Sequence, residues 1–328
     1  MGGTQKSLVQ IGSLKVTYPT SGGARFAAVD DVSIDVHGGE VVGILGESGC
    51  GKSTLANAIL QLLPAHARQE SGNILLREHD LSEASESELR AVRGREIALI
   101  PQDPALSLNP VMNVGSQIAE VLRAHLPLPA KQRRARVIDL LIEVGLDRPE
   151  DIYSAYPHQL SGGQCQRIVI SQAIACRPAL VIADEPTSKL DAPLQAEIVA
   201  LLSQIRKNHG TAILLITHDP ALLAGFADRI AVMYAGRIVE SGLTVDIFRQ
   251  PLHPYTQALV RLAKSAIGMP SRKSFPAIEG ESPDPTAFPA GCRFEPRCPD
   301  RMEMCTQRYP QVFLPEPSRP VSCFKYGE

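Results

Sequence analysis

The stretch that most constrains this chain is GESGCGKST, Gly46 to Thr54, because of what flanks it. A short apolar segment, VVGIL, runs into it, and a pattern with helical spacing runs out of it from Lys52 to Leu63. G-x-x-x-x-G-K-[ST] between a strand and a helix is the spacing of a loop that wraps a phosphate. Its glycines let backbone amides turn inward, and the helix dipole adds partial positive charge at the same point. Amides of Gly49, Gly51, Lys52 and Ser53 would cradle the anion. The Lys52 ammonium would reach the β- and γ-phosphates, and the Ser53 hydroxyl would ligate Mg²⁺. Gly46, Ser48, Cys50 and Thr54 complete the loop; Cys50 needs only to be small, a reactive thiol being the other reading.

Such a loop belongs in an α/β fold, and the rest of the chain agrees. SLVQIGSLKVTY, VDDVSIDV and VVGIL read as strands punctuated by SGG and HGG. NILLRE reads as a further strand, SEASESELRAVRGR as a charged loop and helix, and IALI as a buried strand. From about 103 to 178 the pattern turns helical (VGSQIAEVLRAHL, KQRRARVIDLLIEVGL, GGQCQRIVISQAIACRP), which predicts an inserted helical subdomain. ALVIAD, APLQAEIVALLSQIRKNHG, TAILLIT, PALLAGFA and RIAVMY then alternate as parallel β-α-β units, and YAGRIVESG reads as a hairpin. Residues 265–290, rich in Pro and Ser, read as a linker. The predicted division is therefore 1–264, a linker at 265–290, and a small cysteine-containing extension at 291–328.

Composition removes some classes. With 44% hydrophobic residues, 21% charged residues and a formal net charge of −2, the 328-residue chain has no basic field for nonspecific nucleic-acid binding. No stretch approaches 18 consecutive apolar residues, MGGTQKSLVQ lacks the apolar core of a signal peptide, and Lys6 stands where myristoylation needs Ser or Thr. These features predict a cytosolic chain. In that compartment seven cysteines, three of them scattered at Cys50, Cys165 and Cys176, do not read as a disulfide scaffold.

ALVIADEP is a second candidate half of a nucleotide site. An apolar strand ending in two carboxylates suits a metal ion, with Asp184 holding Mg²⁺ and Glu185 polarising the attacking water; a solvated acid pair at a strand end is the plain alternative. LSGGQ, Leu160 to Gln164, discriminates further, because phosphate-loop kinases and GTPases lack it. With that pentapeptide ahead of ALVIADEP, the chain resembles the ATP-binding-cassette (ABC) ATPases. The resemblance implies a P-loop core with a RecA-like parallel sheet, an antiparallel β subdomain and a helical subdomain. It places Tyr18, alone an ordinary strand aromatic, on the adenine. It places Gln102 of LIPQDP at Mg²⁺ and the attacking water, Asp191 of SKLD in the D-loop, and His218 of ITHD, otherwise read as structural, at the γ-phosphate. Catalysis would then rest on Glu185, His218 and Gln102, with Ser53, Gln102 and Asp184 around Mg²⁺. Ser161, Gly162, Gly163 and Gln164 would present a second helix N-terminus to ATP held by another subunit, making dimerisation part of the mechanism. Lys189, where the D-loop often has a small residue, and Cys165, where Arg is common, depart from the pattern.

DNA-repair or chromosome-organising ATPases of this superfamily insert long coiled coils, and cassette-type translation factors carry two cassettes; neither feature is present, which leaves both as minor alternatives to a transporter subunit. FRQPLHPYTQALV and GCRFEPRCPDRMEMC resemble the C-terminal extension of ATPase subunits from oligopeptide, dipeptide and nickel importers. That resemblance implies a peripheral subunit on the cytoplasmic face of the membrane, with a second, different ATPase subunit, two permeases and an external substrate-binding protein as partners. Peptide, nickel and metal-chelate cargo remain open. Residues 102–160, SLNPVMN among them, would dock on the permease. Cys292, Cys298, Cys305 and Cys323 form a Cys₄ set that reads as ligands of a [4Fe–4S] cluster, which some relatives carry there. Intervals of five, six and seventeen residues do not suit the paired cysteines of structural zinc, though zinc and free thiols are the alternatives.

Overall fold

The computed structural model describes residues 6–20, 22–268 and 278–327, so the 269–277 part of the expected linker lies outside the described residues. Along the chain the elements are β1 (Ser7–Pro19), β2 (Arg25–His37), β3 (Val41–Leu45), α1 (Lys52–Ile59), β4 (Arg68–Leu76), β5 (His79–Asp80), α2 (Glu86–Val92) and β6 (Ile97–Ile100). Then come α3 (Pro104–Ser107), α4 (Val114–His125), α5 (Ala130–Glu143), α6 (Pro149–Ser154), α7 (Gly162–Ile174), β7 (Leu180–Asp184), α8 (Ala192–His209) and β8 (Ala212–Thr217). The chain ends with α9 (Pro220–Ala224), β9 (Arg229–Tyr234), β10 (Arg237–Leu243), α10 (Thr244–Arg249), α11 (Pro254–Gly268) and α12 (Met304–Gln307). They fall into two compact units, one of residues 1–8, 37–40 and 83–215, the other of 9–36, 41–82 and 216–328.

In the first unit β6 and β7 pair in parallel, from Ile97 opposite Leu180 to Ile100 opposite Ala183, and β8 adds beside β7. These strands are buried almost throughout, as strands covered on both faces must be. Helices α4 to α7 pack on one another through Ile118, Leu122, Val137, Leu140, Leu141, Ile152 and Ile168. Gly115 is required there, because a Cβ would sit 2.4 Å from the Tyr153 ring of α6. Asn113 starts α4 by accepting the Ser116 N–H at 2.8 Å.

The second unit carries an antiparallel sheet, β2-β1-β4-β5, and a parallel pair, β3 with β9, extended by antiparallel β10. The β9–β10 hairpin turns on Ala235 (φ 46°) and Gly236 (φ 85°), the double left-handed geometry of a type I′ turn. Helix α1 is shorter than its sequence pattern, ending at Ile59. The Leu62 N–H donates to Asn57 O at 2.8 Å and the Gln61 N–H to Ala58 O at 2.9 Å, a Schellman ending with Gln61 left-handed (φ 51°). Residues 278–327 belong to this unit. Val321 bridges both Glu240 of β10 and Phe313, and the Ser322 N–H donates to Val239 O at 2.8 Å. Phe294 is buried, its ring 5.2 Å from Tyr234, 5.4 Å from Tyr255 and 5.8 Å from His253. No helix among the described residues is long and apolar enough to cross a membrane.

Candidate nucleotide site

In the second unit β3 delivers the chain to the phosphate loop, and α1 begins on Gly51 at φ 106°, a residue with no side chain to occupy the helix's first amides. The loop's glycines serve different ends. A Cβ on Gly46 would lie 2.2 Å from Met233 O, and one on Gly51 2.1 Å from Ala28 O, whereas Gly49 (φ 80°) opens onto nothing within 4 Å. Ser48 and Ser53 are exposed on the loop. Lys52 is buried, its Nζ curled over the loop to donate to Gly46 O at 2.8 Å and Glu47 O at 2.9 Å. Cys50 is buried, and burial pushes its thiol up. The Tyr18 ring stacks on Phe26 at 5.8 Å and its hydroxyl lies 3.4 Å from Thr54 Oγ1, which puts it beside the loop's helix. His218 is exposed just after β8, next to Asp219, which caps α9 through the Ala221 N–H at 2.8 Å.

In the first unit the Gln102 amide donates to Glu185 Oε2 at 2.9 Å, so two predicted catalytic residues meet. Asp184 ends β7 half-buried, and Glu185 after it is left-handed (φ 46°), an uncommon conformation for a side-chain-bearing residue. Ser161 caps α7: its Oγ accepts the Gln164 N–H at 3.3 Å, and Gln164 Oε1 accepts the Ser161 N–H at 2.9 Å. S-x-x-Q is itself a capping-box pattern, a signal present in the sequence but hidden behind the functional reading. Gly162 faces open space and Gly163 packs on Leu194 of α8, where a Cβ would come within 3.2 Å. Asp191 caps α8 by accepting the Leu194 N–H at 3.0 Å. The departures also find local partners. Lys189 pairs with Asp103, the residue after Gln102, and this ammonium holds Asp103 below the usual carboxylate range. Cys165 is buried, its Sγ 3.7 Å from Pro157 O.

The four tail cysteines share one neighbourhood. Cys292 is pushed up to about 12 by burial and then by Cys305, Cys323 and Cys298; Cys298 is pushed up to about 11, again by burial first; Cys323 is raised by burial. The Cys292 N–H donates to Cys305 O at 2.8 Å. All seven cysteines are free thiols, and among the described residues no group of three or more His, Cys, Asp or Glu is placed to hold a metal ion. Sequence reasoning passed over Glu47, whose amide donates to Tyr255 Oη at 2.9 Å and whose carboxylate is gripped by Arg297.

A phosphate loop after one strand, an acidic pair after another and a capped SGGQ helix define a nucleotide-hydrolysing cassette, and comparison with known proteins agrees. The family model for ABC transporters matches residues 29–188, and that for the oligopeptide/dipeptide transporter C-terminal region matches 239–305. The dipeptide transport ATP-binding protein DppD of Bacillus subtilis is 41% identical over 320 residues, 97% of this chain and 95% of that one. DppD of Escherichia coli is 42% identical over 317 residues, 97% and 96% of the two chains. Among solved structures, a dimeric ATP-binding cassette in a post-hydrolysis state bound to ADP and phosphate superposes with a TM-score of 0.65 at 26% identity, covering 72% of this chain and 98% of its own. The cbiO1 subunit of the cbiONQ ABC transporter complex from Clostridium perfringens gives 0.64 at 27% identity, covering 81% and 96%. This chain belongs to the ATP-binding subunits of ABC transporters. It has their cassette fold and is an ATPase, as the sequence predicted.

Proposed function

We propose that this chain hydrolyses ATP to drive a peptide importer. The observation that carries the reading is similarity from end to end, the C-terminal region included, to dipeptide and oligopeptide transport ATP-binding proteins. In this reading Lys52 leaves the loop carbonyls for the β- and γ-phosphates, the free amides of the loop and of α1 hold the anion, and Tyr18 stacks on adenine. Mg²⁺ suits the donor set of Ser53 hydroxyl, Asp184 carboxylate and Gln102 amide oxygen, all hard oxygen ligands, and when bound it would neutralise phosphate charge. Glu185 takes a proton from the attacking water, Gln102 orients that water and His218 contacts the γ-phosphate. Ser161, Gly162, Gly163 and Gln164 act on ATP bound by a second, different ATPase subunit, whose own corresponding segment acts here.

The same reading assigns two permeases and an extracytoplasmic binding protein as partners and the cytoplasmic membrane face as the site of action. Leu106, 85% exposed, and Val111, 80% exposed, support residues 102–160, SLNPVMN among them, as the permease contact. A [4Fe–4S] cluster on Cys292, Cys298, Cys305 and Cys323 suits the donor set of four thiols, but among the described residues no three of them are placed to hold a metal as they stand. No catalytic step therefore passes through it; its role would be to staple the extension. Anaerobically purified chain should carry about four irons. Colourless protein holding one zinc, or no metal after anaerobic reconstitution, rejects the cluster.

The ATPase roles are tested with Glu185→Gln in the assembled transporter. ATP binding should persist, a nucleotide-bound closed dimer should accumulate, and turnover should fall about a hundredfold or more. Near-normal turnover removes Glu185 from the mechanism.

A further inference from the structure

Glu47 is the second residue of the phosphate loop, and all three of its polar groups are held. Its carbonyl accepts Lys52 Nζ at 2.9 Å, its amide donates to Tyr255 Oη at 2.9 Å, and its carboxylate takes both arms of Arg297, Nη1 at 2.6 Å and Nη2 at 3.0 Å. The first of these partners is the lysine that must turn to the nucleotide. The other two lie far along the chain, in α11 and in the C-terminal extension, and have no reason to leave when ATP arrives. Arg297 is itself fixed: its side chain is 5% exposed, and it also donates to Glu279 O at 3.1 Å, Ile278 O at 3.3 Å and Tyr234 Oη at 3.4 Å. Beside this grip a cavity of about 280 Å³ is lined by loop residues 47–50 on one side and by residues 282–285, just ahead of the extension, on the other.

We propose that Arg297 is a positioning residue for ATP binding: it neutralises Glu47 and fixes the phosphate loop in the shape that receives a triphosphate. The argument is electrostatic and geometric, and it rests on the ATP site proposed above. An unpaired carboxylate one residue into the loop would repel the phosphates through a partly desolvated path. A guanidinium fork cancels that charge and, unlike a single ammonium, also sets the carboxylate's orientation. Arg297 directly precedes Cys298, and Phe294 of the same turn packs on Tyr255, the hydroxyl partner of the Glu47 amide. The state of the cysteine-bearing segment is thereby linked to ATP affinity, and by reciprocity ATP steadies that segment.

The test measures ATP dissociation constants, KM and kcat on the assembled transporter. Arg297→Ala should raise Kd and KM roughly tenfold while kcat at saturation changes little. Glu47→Gln added to Arg297→Ala should recover most of the lost affinity, because it removes the charge that Arg297 cancels, and Arg297→Lys should fall between. An unchanged Kd in Arg297→Ala overturns the proposal, as does a loss that Glu47→Gln does not relieve, which would mark Arg297 as merely structural. The wild-type isotherm separates two failures. Absent ATP binding by the wild type removes the nucleotide site and this proposal with it, whereas intact wild-type binding beside an unaffected Arg297→Ala removes the positioning role alone.

Discussion

Gly46 and Gly49 lie three residues apart in one loop and should fail differently. Gly46 is sealed against the protein, a Cβ meeting Met233 O at 2.2 Å and Cys50 Sγ at 2.7 Å, so Gly46→Ala must push backbone aside. Gly49 has a positive φ but nothing within 4 Å, so Gly49→Ala meets only the left-handed backbone cost of about 1–2 kcal/mol. Thermal melting without nucleotide should show a larger drop for Gly46→Ala. Equal drops would mean that the loop relaxes freely and the close contacts do not matter. Lys52, Asp184 and Glu185 stood out in the sequence as candidates because phosphate and metal chemistry admits few residue types at those spacings. The hold on Glu47 was not, since a glutamate in a glycine-rich loop carries no local sign of a partner 250 residues away.

At the scale of elements, periodicity located most helices and strands, and what it missed has local causes. The Schellman ending of α1 uses Gln61 where glycine or asparagine would have signalled it. The segment leading into α11 was read only as a family resemblance, yet the residue just before the helix is a buried histidine with a thermodynamic consequence. His253 is 1% exposed; its Nδ1 accepts the Tyr255 N–H at 3.1 Å, and its own amide donates to Glu240 Oε2 at 2.9 Å. Burial, then the nearby Lys325, pushes its pKa down to about 3 from an ordinary 6.5. Below pH 6.5 the unfolded chain therefore takes a proton that the folded chain refuses, and stability is lost as pH falls toward 3. Glu240, raised by burial, titrates with the opposite sign, losing stability as pH rises above its ordinary 4.5. Between pH 6.5 and 5 the histidine should cost about 1.5 kcal/mol. His253→Asn keeps an acceptor for the Tyr255 N–H and removes the titration. Its melting temperature should be lower at pH 7 but flatter across that window, and an equally steep fall in the variant excludes His253 as the origin.

For the molecule as a whole, the sequence suggested a cassette at 1–264, a linker at 265–290 and a small cysteine-containing extension at 291–328, and residues 278–327 pack within the unit that carries the phosphate loop. Several charged groups of the cassette find an arginine partner in the extension. Glu240, 0% exposed, meets Arg319 at 3.3 Å; Asp30 meets Arg293; Glu47 meets Arg297; and Phe294 fills the space beside Tyr234 and Tyr255. Asp30 also keeps Arg237 at 2.8 Å, and Glu240 keeps the Leu252 and His253 amides, so neither is stripped bare by losing the extension. Even so, breaking one buried ion pair costs about 3–5 kcal/mol. Emptying a buried phenylalanine site costs about as much again. A typical folding stability is only about 5–15 kcal/mol, so these losses together reach it. Truncation after Ala290 should therefore not yield a trimmed ATPase. The shortened chain should lose its cooperative melting transition and be recovered as insoluble or unfolded protein, by differential scanning calorimetry and gel filtration. A soluble, cooperatively melting truncation that binds ATP as the full chain does would restore the extension to the status of an appendage and leave Glu240 and Glu47 tolerable without their arginines.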